Sequence, residues 1–309
     1  YKDAVAFQLS YDKVGGSNSC LEIIREGHKS LAKLLSLTAH NHTSLKRNRK
    51  YVATLFHIKG GPDSLMAQRN LELFMGDGVI DIPFQDNDPS CSNALCNIEK
   101  ICKAATNYSL DGLKPVEILA DIHAYQHGTA EMDISWEHYL EQFLGNSTDP
   151  NDIAWTWQVC TEFGFFQTCE QNSDCPFARD FHPLSQDVEL CKLLFDISYE
   201  DVKQNVQEIL NWFGGWNIKG TRILFVNGDV DPWSQQAVTP DHGTQSTPWQ
   251  PSILVKGASH HVWTHSRKES DTIEVNVARE IIHRTVSSWL RIKEEDRANN
   301  LAAVDHFRV

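Results

Sequence analysis

The chain has 309 residues, of which 41% are hydrophobic and 22% are charged, and its formal net charge is −13 at pH 7. This length suits one large domain or two modest ones, and the composition is ordinary for a globular protein. The acidic excess argues against a nucleic-acid partner, because binding to phosphates needs clustered Lys and Arg. No apolar run approaches the ~20 residues that a membrane-spanning helix needs, so no membrane span is predicted.

Helical patterns dominate the first two-thirds of the chain. Apolar residues recur at helical spacing over 20–36, and residues 134–144 and 199–213 also have helical patterns. Gly214 and Gly215 are expected to end the last of these helices.

The pattern changes near 195–220, where a helical region gives way to a sheet region. Two short apolar runs, 222–226 and 252–255, suit buried parallel strands, although a short run alone does not exclude a helix. Residues 271–293 predict a long amphipathic helix. The succession of strand, loop, strand, loop and helix is typical of the edge of an α/β sheet.

Eight cysteines give information about the cellular compartment of the protein. They are Cys20, Cys91, Cys96, Cys102, Cys160, Cys169, Cys175 and Cys191. An even number is typical of disulfides in an oxidising compartment. Zinc is the alternative, but the spacings within 91–102 are poor for ligand pairs, and no Cys-x-x-Cys motif occurs.

Three N-glycosylation sequons point to the same compartment. They begin at Asn41, Asn107 and Asn146. Together with the cysteines they predict a glycoprotein of the secretory pathway, either secreted or lysosomal.

The loops after the two predicted strands carry the candidate catalytic residues. Asp229 and Asp231 follow the first strand, and His260 and His261 follow the second. An acid followed by a histidine at strand ends matches the order in α/β-hydrolases, where the carboxylate orients the histidine that takes a proton from a nucleophile. The alternatives are that the aspartates shape a turn and that the histidines are ordinary loop residues.

Three motifs together resemble the S28 family of serine peptidases. They are Asn-Gly-x-x-Asp-Pro-Trp at 227–233, Gly-x-Ser-His at 257–260 and a segment at 157–165 that contains Gln-x-Cys-Thr-Glu. Gly16-Ser17-x-x-Cys20, before a predicted helix, also fits. The resemblance covers essentially the whole chain.

The resemblance implies an α/β-hydrolase fold with an inserted helical cap. Residues 1–125 are expected to form the helical cap, and residues 126–309 the C-terminal part of the hydrolase domain with the acid and histidine of a catalytic triad. The cysteines of the family imply Cys20–Cys96 and Cys160–Cys191 bridges, which leave Cys91–Cys102 and Cys169–Cys175 as local pairs. Eight cysteines allow 105 pairings, so the sequence alone does not prove this connectivity.

Roles for individual residues follow from the same resemblance. Asp231 orients the base, His260 is the base, and Trp233 and Phe165 are candidates for an apolar pocket that accepts a proline ring. Core packing is the alternative for these aromatic residues. Val262-Trp263 follows the histidines where the family usually has Leu-Asp, which affects the expected pocket wall.

The nucleophilic serine of the family lies in a Gly-Gly-Ser-Tyr elbow, which is expected upstream of Tyr1. Ser17 is a weaker candidate, although alternating apolar residues precede it. An elbow needs a small residue two positions after the serine, and Ser19 is only marginal there. The resemblance places Ser17 instead at the start of the helix that carries Cys20.

The implied activity is that of a serine-type exopeptidase, which cleaves short peptides after proline or a small residue by acyl transfer. The sequence leaves open whether it is a carboxypeptidase or a dipeptidyl-peptidase. A peptide substrate, no cofactor, no metal and a homodimer are expected. The alternatives are a non-catalytic secreted binding protein on the same fold and an esterase or lipase.

Overall fold

A computed structural model describes residues 1–36, 41–93, 95–128, 130–144, 149–243 and 249–299. The chain divides into two compact units, Tyr1–Gly215 (unit 1) and Trp216–Val309 (unit 2). This division falls within 195–220, where the sequence pattern changes. The assignment of 1–125 to a cap and 126–309 to a hydrolase domain stays a prediction.

Unit 1 is helical in its described part. Its α-helices are α1 (Lys2–Ser10), α2 (Asn18–Leu35), α3 (His42–Leu55), α4 (Gln68–Met75), α5 (Ile98–Leu110), α6 (Pro115–His127), α7 (Trp136–Leu144), α8 (Pro150–Gln158), α9 (Leu184–Phe195) and α10 (Tyr199–Phe213). A turn of π-helix, Val159–Phe163, continues α8. The three helices predicted from spacing, at 20–36, 134–144 and 199–213, are confirmed as α2, α7 and α10.

The core of unit 1 is built around α2, which packs against α1, α3, α5 and α6. Ile24, Leu31 and Leu35 of α2 are buried along one face of the helix. Gly27 lets α6 approach closely, because a Cβ at this position would lie 2.7 Å from the Leu119 side chain.

Four disulfides join all eight cysteines, and all of them lie in unit 1. Cys160–Cys191 and Cys169–Cys175 form as the resemblance implies. Cys160 and Cys191 are buried together with Val202 of α10, so this bridge ties α9 and the π-helical turn into one small core.

The structure corrects the other two pairings. Cys20 pairs with Cys102 rather than Cys96, and Cys91 pairs with Cys96 rather than Cys102. The reason is the register of α5. Cys102 lies on the buried face of α5, which packs against α2 and the fully buried Cys20, whereas Cys96 precedes the helix in the same loop as Cys91.

Unit 2 contains a parallel two-stranded sheet and one long helix. Strands β1 (Phe225–Gly228) and β2 (Ser252–Val255) pair in register from Phe225 opposite Ser252 to Gly228 opposite Val255. Helix α11 (Ile273–Asn299) buries Val275 and Ala278 in a small core beneath β2. The predicted parallel pair and the predicted helix at 271–293 are therefore confirmed.

The first strand is displaced from its predicted position at 222–226. Arg222 adopts a left-handed backbone conformation (φ 59°), which interrupts the extended chain, and pairing with β2 carries the strand on through Gly228. Both strands are half-buried except at the last residue, which is buried, so they are less buried than the sequence pattern predicts.

None of the described helices is both long enough and apolar enough to cross a membrane.

Candidate active site

The carboxylate of Asp231 and the imidazole of His260 meet at the carboxyl ends of β1 and β2. His260 Nδ1 lies 2.7 Å from Asp231 Oδ2. The Asp231 side chain is only 5% exposed, and its Oδ1 accepts a hydrogen bond from the backbone N–H of Trp233 at 3.0 Å. Both carboxylate oxygens are therefore occupied, which fixes the orientation of the acid.

This contact determines which nitrogen of His260 can act as a base. A buried carboxylate accepts a hydrogen bond from Nδ1–H, so the lone pair of the neutral ring lies on Nε2. The His260 side chain is 31% exposed, and its Nε2 makes no hydrogen bond with any residue in the described part of the chain. Nε2 is therefore available to accept a proton from a hydroxyl group.

The local sequence explains the position of Asp231. Pro232 begins the short 3-10 helix Pro232–Gln235, and proline favours an extended residue before it. Asp231 has this conformation (φ −70°, ψ 120°) and caps the short helix with its own carboxylate.

Asp229 holds the two loops together. Its backbone N–H donates to Val255 O, and its Oδ1 accepts from the N–H of Gly257 at 2.6 Å. Lys256 Nζ lies 3.5 Å from its other carboxylate oxygen. Asp229 thus positions the two loops, whereas Asp231, the aspartate that the Asn-Gly-x-x-Asp-Pro-Trp motif selects, contacts the histidine.

Gly228 allows the closest approach between the loops. A Cβ at this position would lie 2.1 Å from Ala258 O, far inside van der Waals contact. The glycine of the Asn-Gly-x-x-Asp motif is therefore required so that the histidine loop can lie against the end of β1.

His261 does not contact the acid. It adopts a left-handed conformation (φ 39°), is exposed, and lies with its ring 4.3 Å from that of His260 and 5.1 Å from that of His265. Of the two adjacent histidines, the geometry therefore selects His260 as the partner of Asp231.

Arg279 of α11 fastens the segment that follows the histidines, and the sequence pattern did not reveal this role. It donates to the carbonyl oxygens of Val262 and Trp263 and to Asp271. Trp263 is buried in the core of unit 2, so the departure from the usual Leu-Asp pair serves packing. The backbone N–H of Lys268 and the guanidinium of Arg279 hold the pKa of Asp271 below its ordinary value.

The two aromatic pocket candidates lie in different units. Trp233 is half-buried beside Asp231 in unit 2. Phe165 follows the π-helical turn of unit 1, stacks on Phe163 and lines a cleft of about 230 Å³ together with Tyr139. Their membership of one proline pocket stays a prediction.

A charged cluster lies in the same cleft of unit 1. His182 bonds to Asp77 at 2.8 Å and to Asp187 at 3.1 Å. Burial opposes the charge on His182, but the hydrogen bonds to Asp187 and Asp77 outweigh it and raise the pKa of His182 to about 9.

Ser17 has a structural role. The stretch before it forms helix α1 rather than a strand, and the Ser17 hydroxyl accepts a hydrogen bond from the N–H of Cys20 as the N-cap of α2. A nucleophile elbow needs a strand before the serine, so the local structure does not match one.

Two of the three sequon asparagines are exposed on helices. Asn41 is the N-cap of α3, where its side chain accepts from the N–H of Ser44, and Asn107 lies on α5. Asn146 lies outside the described residues. Glycosylation at these positions stays a prediction.

The comparisons with known proteins agree with the sequence motifs. The profile described as serine carboxypeptidase S28 matches residues 1–282. The chain is 36% identical over 298 residues to thymus-specific serine protease of Mus musculus, which covers 94% of this chain and 56% of the relative. It is 25% identical over 304 residues to the protein of the same name of Homo sapiens, with 96% and 56% coverage.

The chain is also similar to lysosomal Pro-X carboxypeptidase of Homo sapiens, with 29% identity over 142 residues. This match covers 45% of this chain and 26% of the relative. The chain thus spans just over half the length of the two thymus-specific relatives.

Proposed function

The chain belongs to the serine carboxypeptidase S28 family, and from this we propose that it forms part of a serine-type exopeptidase of the α/β-hydrolase fold. One observation carries the proposal. A buried aspartate and a partly exposed histidine, each on the loop after a parallel strand, are joined at 2.7 Å, and Nε2 is left open. The domain assignments 1–125 and 126–309 are part of the proposal.

The proposed chemistry is acyl transfer. His260 Nε2 takes the proton of a serine hydroxyl as its oxygen bonds to the peptide carbonyl carbon, and the imidazolium then gives that proton to the leaving amine. A water molecule repeats the sequence on the acyl-enzyme and releases the acid. Asp231 stabilises the imidazolium in both halves.

We propose that the nucleophilic serine lies outside residues 1–309. The Gly-Gly-Ser-Tyr elbow of the family does not occur in the sequence, and Ser17 is used as a helix cap. The observed loops supply the acid and the base.

The proposed substrate is a short peptide with proline or a small residue before the scissile bond, and Trp233 beside Asp231 is the proposed pocket residue in unit 2. The Pro-X carboxypeptidase relative supports this substrate class. Four disulfides, together with relatives described as lysosomal and as probably extracellular, support a secreted or lysosomal location. A homodimer stays a prediction.

Peptide hydrolysis by the full-length protein tests the proposal. We expect cleavage of Pro-X peptides with a free C-terminal carboxylate, unaffected by acetylation of the N-terminus. Cleavage that instead requires a free N-terminal amine would assign the dipeptidyl-peptidase mode. Turnover of simple esters without peptides would favour an esterase, and no turnover of either would favour the non-catalytic binding protein.

A further inference from the structure

A strongly basic groove lies in unit 1 between α3 and the 3-10 helix Gly61–Met66, which pack against each other. Its volume is about 590 Å³. The cationic side chains that line it are Lys46, Arg47, Arg49 and Lys50, all from α3. Asp63 is the single carboxylate among the lining residues.

Within the described part of the chain, the four cations have no protein counter-ion. No ion pair or hydrogen bond joins any of their side chains to another residue within the described ranges. The Nε–H of Arg49 is buried and has no acceptor there. By contrast, Lys29 and Lys203 each pair with a carboxylate on their own helix, and Lys192 pairs with Asp196, the C-cap of its helix.

The positive charge of this groove is opposite in sign to the net charge of the protein. The chain carries a net charge of −13, yet α3 has no acidic residue among its 14 positions, including its first turn, where acids stabilise a helix. Lys46 and Lys50 are four residues apart, and Lys46 and Arg49 are three apart. Like charges at these spacings destabilise a helix. An anionic ligand would remove this repulsion.

The shape and composition of the groove select the kind of anion. Neighbouring cations on a helix face lie about 5–6 Å apart, which suits the closely spaced charges of a linear polyanion. The site is concave, whereas a membrane surface would need a flat or convex one. Met66, which is 62% exposed, adds an apolar wall against which a sugar ring can pack.

We propose that this groove binds a sulfated polysaccharide of the heparin type. Such a chain presents several sulfate and carboxylate groups per short segment, and clustered Lys and Arg are the usual recognition elements for it. Four disulfides are typical of proteins of oxidising compartments, where sulfated polysaccharides occur, which favours these polysaccharides over nucleic acids. The proposal is independent of the peptidase chemistry and concerns unit 1 alone.

Binding of the full-length protein to a heparin octasaccharide at 150 mM salt tests the proposal, with the N-glycans trimmed beforehand. The groove variant is Lys46→Gln/Arg47→Gln/Lys50→Gln. The matched control is Lys29→Gln/Lys192→Gln/Lys203→Gln. It also removes three positive charges, but from exposed helix positions that have counter-ions. Cooperative thermal unfolding of both variants, with midpoints close to that of the wild type, shows that folding is preserved.

We expect the groove variant to bind at least about tenfold more weakly than the wild type, while the control stays within about threefold. The slope of log affinity against log salt should fall by roughly two to three in the groove variant, because each lost contact removes about 0.7–0.9 from it. Desulfated heparin should not bind.

Four results would overturn the proposal: no binding by the wild type, equal weakening in both variants, retained binding of desulfated heparin, or tighter binding of single-stranded DNA or anionic vesicles than of heparin.

Discussion

The two units maintain their structure by different means. All four disulfides lie in unit 1, as do the largest fully buried side chains of the described residues, such as Phe56 and Phe74. Residues 216–309 contain no cysteine, and the strands there are half-buried. Yet unit 2 carries the Asp231–His260 pair, which backbone hydrogen bonds between two loops hold in place.

One histidine from each unit, His28 and His260, shows the same contrast between a structural role and a chemical one. His28 of unit 1 is fully buried, its Nδ1–H donates to Ile24 O and its Nε2 accepts from the N–H of Val79, so both nitrogens serve the fold. His260 of unit 2 uses one nitrogen for Asp231 and leaves the other open. Stability and chemistry are therefore separable by substitution.

The largest expected effect is on chemistry in unit 2. Asp231→Asn should lower kcat of the full-length protein on Pro-X peptides by about 10⁴-fold, because an amide no longer fixes the tautomer of His260. Unfolding of the protein should change little. The measurement is steady-state kinetics with thermal unfolding of the same sample, and kcat within tenfold of the wild type would contradict the assigned role.

The next effect is on the stability of unit 1. Replacing Cys20 and Cys102 by Ala should lower the free energy of unfolding by about 4 kcal/mol, since this bridge closes a sequence separation of 82 residues. Replacing Cys91 and Cys96, which are 5 residues apart, should cost only about 2 kcal/mol. Denaturant unfolding compares the pairs, and equal losses would contradict the connectivity.

A smaller effect depends on pH. Burial lowers the pKa of His28 to about 4 from an ordinary value of 6.5. The unfolded chain therefore takes up a proton that the folded chain refuses, and the free energy of unfolding falls as pH drops below 6.5. The loss attributable to His28 should reach about 3 kcal/mol by pH 4.

His28→Gln isolates this contribution. The variant should be less stable than the wild type at pH 7, but its stability should decline less between pH 7 and pH 4. Parallel declines in urea unfolding series of the two proteins would show that His28 is not the group responsible.

The smallest effect concerns Ser17. Ser17→Ala should cost about 1 kcal/mol of stability through loss of the N-cap of α2 and should leave kcat unchanged. Loss of activity with normal folding would instead make Ser17 the nucleophile.

Local signals made part of this structure predictable from sequence. Helix α10 lies where it was predicted, because the Ser198 capping box begins it and Gly214 in a left-handed conformation ends it. Asp231 and His260 were selected because each follows a predicted strand and because the motifs around them resemble the S28 family, and the parallel pairing of β1 and β2 brings them together. Both features depend on residues close together in the chain.

Features set by tertiary contacts were not predictable. The end of β1 at Gly228 depends on its pairing with β2, and the Cys20–Cys102 bridge depends on how α5 packs against α2. The basic groove was missed for a different reason, since the net charge of the whole chain conceals four adjacent cations at 46–50.

The central claim, that His260 is the base that activates a serine, is tested most directly by fluorophosphonate labelling. This reagent phosphonylates a serine only when a base activates its hydroxyl, and the measured quantity is the labelling rate. In the full-length protein we predict labelling of one serine, slowed by about 10³-fold or more in His260→Ala and changed by less than about tenfold in His261→Ala. Both variants should unfold at the wild-type temperature. Labelling of His260→Ala at the wild-type rate would contradict the assignment of the base.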